Sequence, residues 1–193
     1  MFESHHVSRH YEKRCRQSRR KGKGPNAPAV NRHRSAINKR LPKLALAVHA
    51  ASHLILAAGA STGTGSDSPH FVPLMLDAAG RMPLEFVLAD AGFDSEDNHR
   101  LARQELGIRS LIPATIGRPG AKGPTGHYRR LMRRRFAGGP DKKHYGQRWQ
   151  AETVNSMIKR NLGSACRART ATGRRKDMLM HAVTHNVMIL ANL

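Results

Sequence analysis

Tyr145, Arg148, Glu152 and Lys159 bring a phenol, a guanidinium, a carboxylate and an ammonium into one short stretch, with offsets of 3, 7 and 14 from the first. On a helix turning about 100° per residue these offsets share one narrow stripe. Ala151, Val154, Met157, Ile158 and Leu162 point mostly the other way. A helix that buries one face and aligns a carboxylate with two cations on another is suited to presenting that row to a ligand. A surface helix with an ion pair fits the same spacing.

A second carboxylate stands out at Asp90. Glu85-Phe86-Val87-Leu88-Ala89-Asp90 reads as a short strand ending in an acid, followed by Ala91-Gly92-Phe93-Asp94-Ser95. A strand end fixes the backbone while the turn beyond it opens to solvent, a placement suited to a catalytic carboxylate. Asp94, in Asp94-Ser95-Glu96-Asp97, reads instead as turn and helix-start chemistry, where acids meet the positive end of the dipole. His5, His6 and His10 lack an accompanying Cys or carboxylate pattern, and His181 and His185 lack a third ligand, so neither group is assigned to a metal.

The elements that must position these groups follow from the apolar pattern. Leu44–Val48 and His53–Ala58 predict a two-stranded hairpin. The Gly, Ser and Thr stretch over 59–68 lacks the Gly-Lys-Ser/Thr ending of a phosphate-binding loop and reads as a connector. Phe71, Leu74, Met75 and Ala78 predict a helix over 69–81. After Asp90 a helix runs through Leu101, Ala102 and Leu106 to a stop at Gly107, and Ile108–Ile112 is another strand. The stretch 114–143, holding Arg118, Lys122, Arg129, Arg130, Arg133, Arg134, Arg135, Lys142 and Lys143, is expected to be a basic loop docked on a polyanion. Arg167, Arg169, Arg174, Arg175 and Lys176 form a second basic cluster ahead of a final apolar helix.

Residues 1–42 are polar and basic around Lys21-Gly22-Lys23-Gly24-Pro25, and read as an arm or long loop ahead of one domain over 43–193. The formal charge is +21, from 34 Lys and Arg against 13 Asp and Glu, so the expected partner is a polyanion, nucleic acid first. No apolar run approaches a membrane span. Aromatic residues are only 5% of the chain, which favours backbone phosphate contact over base stacking. Cys15 and Cys166 fit no ligand or redox spacing and read as free thiols in a reducing cytosol. No secretory signal follows Met1.

The row Tyr145, Arg148, Glu152, Lys159 resembles the signature around the last acidic residue of bacterial and archaeal insertion-sequence transposases of the DDE class. Leu88-Ala89-Asp90-Ala91-Gly92-Phe93-Asp94-Ser95 is similar to that family's second acidic motif, with Phe93 where many relatives have Tyr. The resemblance covers most of the chain from Lys43 onward. It implies an α/β, RNase H-like mixed sheet flanked by helices, with Asp90 and Glu152 as catalytic residues and ligands of Mg²⁺ or Mn²⁺. It further implies phosphate contacts from Arg148 and Lys159, and a phosphate hydrogen bond or DNA-positioning role for Tyr145. The basic residues Arg129, Arg130, Arg133 and Arg134 join the expected DNA surface. The expected partners are double-stranded DNA and, in the DNA complex, a second copy of the chain; the expected location is the cytoplasm, on the nucleoid.

Two metals in such a site activate the nucleophile and hold charge on the leaving oxygen of a phosphodiester, roughly 3.5 to 4 Å apart. Hard oxygen ligands suit them. The family's first Asp, on the opening central strand, has no counterpart here. Phe2-Glu3-Ser4-His5-His6-Val7-Ser8-Arg9-His10-Tyr11 resembles the stretch just after that Asp in relatives, and His49 stands where some of them are acidic. The expectation is therefore a chain that starts after that strand, binds metal weakly and cleaves poorly. The competing reading is a basic nucleic-acid binder, or a transposase remnant, without cleavage.

Overall fold

Pro42–Val48 forms a strand, β2, in which all seven residues are buried. A strand covered on both faces has no solvent side, so its apolar residues run together instead of alternating. Leu44, Leu46 and Val48 enter one cluster with Ile55, Ala151, Val154, Ile158, Met178 and Ala182. Ala45 and Ala47 face the other way, toward Ala57, Phe71, Leu74 and Met75. Even Lys43 is buried, its ammonium paired with Asp67, and burial lowers its pKa.

The computed structural model describes residues 2–6, 42–62, 66–115, 123–139 and 141–192. Strand β3, Ile55–Thr62, pairs antiparallel with β2, placing Leu44 opposite Ala60 and completing the expected hairpin. Asn186 pins its first residue from a distant helix: Nδ2 donates to the Ile55 carbonyl at 2.8 Å and Oδ1 accepts the Ile55 N–H at 2.8 Å. Within the segment read as an arm, Phe2–His6 forms a strand, β1, antiparallel to β2 on its other edge. The polar composition concealed it, because an edge strand needs no continuous apolar run. Residues 7–41, including His10 and Cys15, lie outside the described residues.

Helix α1, Phe71–Arg81, buries Phe71, Leu74, Met75 and Ala78, the expected stripe. Strand β4, Phe86–Leu88, is parallel to β5, Arg109–Leu111. Between them run α2, Glu96–Arg100, and a wider turn over Leu101–Glu105 whose Leu106 N–H reaches the Leu101 carbonyl at 3.0 Å. Gly107, at φ 68°, ends it, as the sequence predicts.

The expected basic loop is largely helical. Helix α3, His127–Gly138, carries the arginines, buries Met132 against Leu88 and Leu111, and stops at Gly139 with φ 88°. Residues 116–122, including Arg118 and Lys122, lie outside the described residues. Beyond α3 come α4, Lys142–Gly146, α5, Trp149–Leu162, and α6, Ala171–Leu190, whose first turn is capped by the Thr170 hydroxyl accepting from Gly173 N–H.

The fold is mixed α/β, with α1 over one face of the β1–β3 sheet and α5 and α6 over the other. The expected single mixed sheet takes the form of two pieces, a three-stranded antiparallel sheet ordered β1-β2-β3 and the parallel pair β4-β5. The cluster around Phe71 contains residues from both pieces, including Ala47 from β2 and Val87 from β4. A cavity of about 430 Å³ separates them, with Ala47, Val48 and His49 on one wall and Phe86, Val87 and Leu88 on another.

Candidate acidic site at the end of β4

Asp90 sits where the pairing of β4 ends. Ala89 N–H still reaches the Leu111 carbonyl at 3.3 Å, and the chain then turns through Ala91–Phe93. The Asp90 carboxylate accepts from Ala91 N–H at 2.7 Å, and the Asp90 carbonyl accepts from Phe93 N–H at 2.9 Å. Phe93 anchors the turn because its ring is fully buried against Phe71. The backbone of Asp90 is thus fixed while its carboxylate is exposed.

Tyr145, Arg148, Glu152 and Lys159 do not share one helix. Tyr145 belongs to α4, Arg148 is the residue before α5, and Glu152 and Lys159 lie in its first and last turns. The joint is tightened by three-residue hydrogen bonds, Arg148 N–H to the Tyr145 carbonyl at 2.9 Å and Ala151 N–H to the Arg148 carbonyl at 3.1 Å. The side chains still meet. The Arg148 guanidinium pairs with the Glu152 carboxylate and lies 5.9 Å from the centre of the Tyr145 ring.

Tyr145 lies between the Arg148 side and the basic helix α3. Its ring is half-buried, edge-on to Phe136 at 4.9 Å. Burial pushes the phenol up to about 12, and the negative charges of Asp90 and Glu152 act in the same direction, against the charge and hydrogen bond of Arg148. Asp90 and Glu152 stand 62 positions apart in the chain. Their carboxylate oxygens are hard donors, the type that suits Mg²⁺ or Mn²⁺. Both are exposed, so a cation can reach them. Among the described residues, no group of three or more His, Cys, Asp or Glu is arranged to hold a metal.

Sequence reasoning missed the role of Asp94. Ser95, not Asp94, occupies the cap position of α2, and the Asp94 carboxylate is fully buried. One of its oxygens accepts from Arg129 Nε at 2.9 Å, Arg129 Nη2 at 2.7 Å and Thr115 N–H at 2.8 Å. The other faces His99 Nε2 at 3.9 Å. Glu96 adds a second tie, accepting from Tyr128 N–H at 2.9 Å and Arg129 N–H at 3.1 Å at the start of α3. Although burial opposes it, this carboxylate is held below its ordinary range by those backbone donors. Gly126 permits the approach, since a Cβ there would overlap the Glu96 carboxylate.

These ties divide the arginines of α3. Arg129 is committed to Asp94 and Arg135 to Asp141, whereas Arg130, Arg133 and Arg134 are exposed. His185 is buried, its Nε2 bonded to the His53 carbonyl at 3.0 Å. No helix among the described residues is long and apolar enough to cross a membrane.

A family model described as "Transposase DDE domain" matches residues 5–187. No curated protein and no solved structure matches.

Proposed function

The chain belongs to the transposase DDE-domain family, and from that premise we propose that Asp90 and Glu152 are two acidic residues of a metal-dependent site for DNA cleavage and strand transfer. The observation that carries this is Arg148, paired with the Glu152 carboxylate beside the Tyr145 ring, together with Asp90 held exposed where β4 ends. We place the chain in the insertion-sequence group with the Tyr-Arg-Glu-Lys row, on Tyr145, Arg148, Glu152 and Lys159.

Asp90 and Glu152 are the residues that would hold Mg²⁺ or Mn²⁺; bound there, the ions would activate a nucleophile and take up charge on the leaving oxygen. Arg148 keeps the Glu152 carboxylate oriented and brings its guanidinium charge to a phosphate. Lys159 reaches the same DNA from the far end of α5. Arg130, Arg133 and Arg134 line the approach as phosphate contacts, and Arg129 supports them by fixing α3 through Asp94.

The same geometry has room for a third carboxylate. An extended strand continuing β1 past the Phe2–Ala47 pair would run beside Val48 and His49, along the cavity whose opposite wall is β4. His144 and Gln147, on either side of Tyr145 and its neighbour, line that cavity too.

The second reading, a DNA-binding protein without cleavage, is favoured by one observation: Glu152 already has a cation, Arg148, on its carboxylate. Adding an Asp-bearing strand before β1 and assaying DNA cleavage in Mg²⁺ or Mn²⁺ separates the two. Cleavage that E152Q abolishes while DNA binding persists supports the enzyme. Absence of cleavage, or cleavage indifferent to E152Q, supports the binder.

A further inference from the structure

His53 is the one residue other than glycine, among the described residues, that takes a positive φ, at 60°. It closes the turn between β2 and β3: its N–H donates to the His49 carbonyl at 3.0 Å, and His49 N–H donates to the Leu54 carbonyl at 2.8 Å. Glycine takes that conformation without the crowding a Cβ brings. A histidine there strains the backbone, so the reason for it lies in the ring.

The ring crosses the fold. His53 Nε2 lies 2.6 Å from Gln150 Oε1, 97 positions away. An amide oxygen only accepts, so Nε2 carries the proton and donates it. The backbone behind the ring is held from a third element: buried His185 donates from Nε2 to the His53 carbonyl at 3.0 Å, and Asn186 pairs with both backbone groups of Ile55. His53 is thus clamped on α6 at one end and reaches α5 at the other.

Gln150 stands in the first turn of α5, two residues after Arg148 and two before Glu152. Two residues turn a helix by about 200°, so Gln150 points away from the side that carries the Arg148–Glu152 pair. No side chain caps the start of α5, and the chain enters it from α4 through a tight joint. A first turn without a cap is fixed by whatever else it touches.

We propose that His53 is a positioning residue for the acidic site, its ring holding the first turn of α5 through Gln150 and so setting where Arg148 and Glu152 stand. This role presupposes the metal site on Asp90 and Glu152, whereas the strut between the turn and α5 does not.

Trp149, the single tryptophan of the chain, begins α5 beside Gln150 and is 54% exposed, so its time-resolved fluorescence anisotropy reads the motion of that turn. His53→Gly suits the backbone and removes the ring, Gln150→Leu removes the acceptor, and Gln150→Glu keeps one. His53→Gly and Gln150→Leu are each expected to loosen Trp149, their combination no further than either alone, and Gln150→Glu to leave it as in the wild type. The urea midpoint of His53→Gly is expected to stay near that of the wild type, and Gln150→Leu carries the test should the turn reject glycine. With DNA present, Mn²⁺ uptake is expected to fall on the order of three-fold in both, short of the roughly ten-fold loss expected of a group bonded to a metal ligand. Trp149 unmoved by both substitutions, or effects that add in the double variant, overturns the strut. A loosened Trp149 with Mn²⁺ uptake intact, where Glu152→Gln lowers it, overturns the positioning role. Uptake indifferent to Glu152→Gln removes the metal site and the positioning role with it, while a loosened Trp149 still establishes the strut.

Discussion

Arg129 donates from both Nε and Nη2, at 2.9 and 2.7 Å, to a single oxygen of Asp94, a carboxylate with no solvent exposure. The pair joins the loop after the acidic turn to the basic helix α3, so the position of the arginine surface depends on a buried charge. Removing one partner of a buried pair leaves the other uncompensated, typically at about 3–5 kcal/mol. Asp94→Ala is expected to destabilise the chain by about 3 kcal/mol in urea unfolding, and Arg130→Ala by less than about 0.5 kcal/mol. Equal effects would remove the distinction between a tie and a surface cation.

Stability is expected to fall in mild acid because of His99. Burial lowers its pKa to about 4; Asp94 and Glu96 act upward on it, and Arg103 and Arg129 downward. Ser110 Oγ lies 2.7 Å from Nδ1 and accepts from Arg103 Nε at 2.9 Å. The folded state keeps the ring neutral to about pH 4, whereas an unfolded histidine takes a proton near 6.5. Stability is complete above pH 6.5 and declines between there and pH 4, by up to roughly 3 kcal/mol. Urea midpoints against pH for the wild type and His99→Gln measure this; an unchanged slope between the two would assign the loss elsewhere.

Tyr145 reports on the convergence of the carboxylates. Burial is the chief cause that pushes its pKa up to about 12, and Asp90 and Glu152 add to it. Asp90→Asn and Glu152→Gln should each lower it, and Arg148→Ala should raise it. Titration of ring-labelled tyrosine by NMR follows each change. If neither carboxamide moves Tyr145, the two acids do not share its surroundings.

The exposed arginines of α3 carry a salt-dependent expectation. Each lost phosphate contact lowers the slope of log K against log salt by about 0.9 on duplex DNA. Single alanine substitutions at Arg130, Arg133 and Arg134 should weaken binding alike on unrelated sequences. An affinity and slope unchanged in all three would move the DNA surface away from α3.

Much of the positioning framework is legible in the chain because it is local. Leu44–Val48, the Phe71–Ala78 stripe and Phe86–Leu88 announce β2, α1 and β4 by run and period, and the Gly107 stop follows from its backbone. Helix α3 was concealed by its arginines, although Tyr128, Met132 and Phe136 recur every fourth residue and mark the face it buries. The break between Tyr145 and Arg148 left no pattern, since the helical angle carries almost unchanged across a tight joint. Asp94 shows the limit most clearly. Its partner stands 35 positions away, and a carboxylate beside a serine and two more acids looks like a helix cap until the fold brings Arg129 to it.

Uptake of Mn²⁺, followed by the loss of the free-ion EPR signal with the wild type, Asp90→Asn and Glu152→Gln in the presence of DNA, tests the acidic site most directly. Uptake by the wild type is expected, reduced about ten-fold or more by either substitution, with each variant still folded and still bound to DNA. Equal Mn²⁺ uptake by all three chains would contradict a metal site built on Asp90 and Glu152.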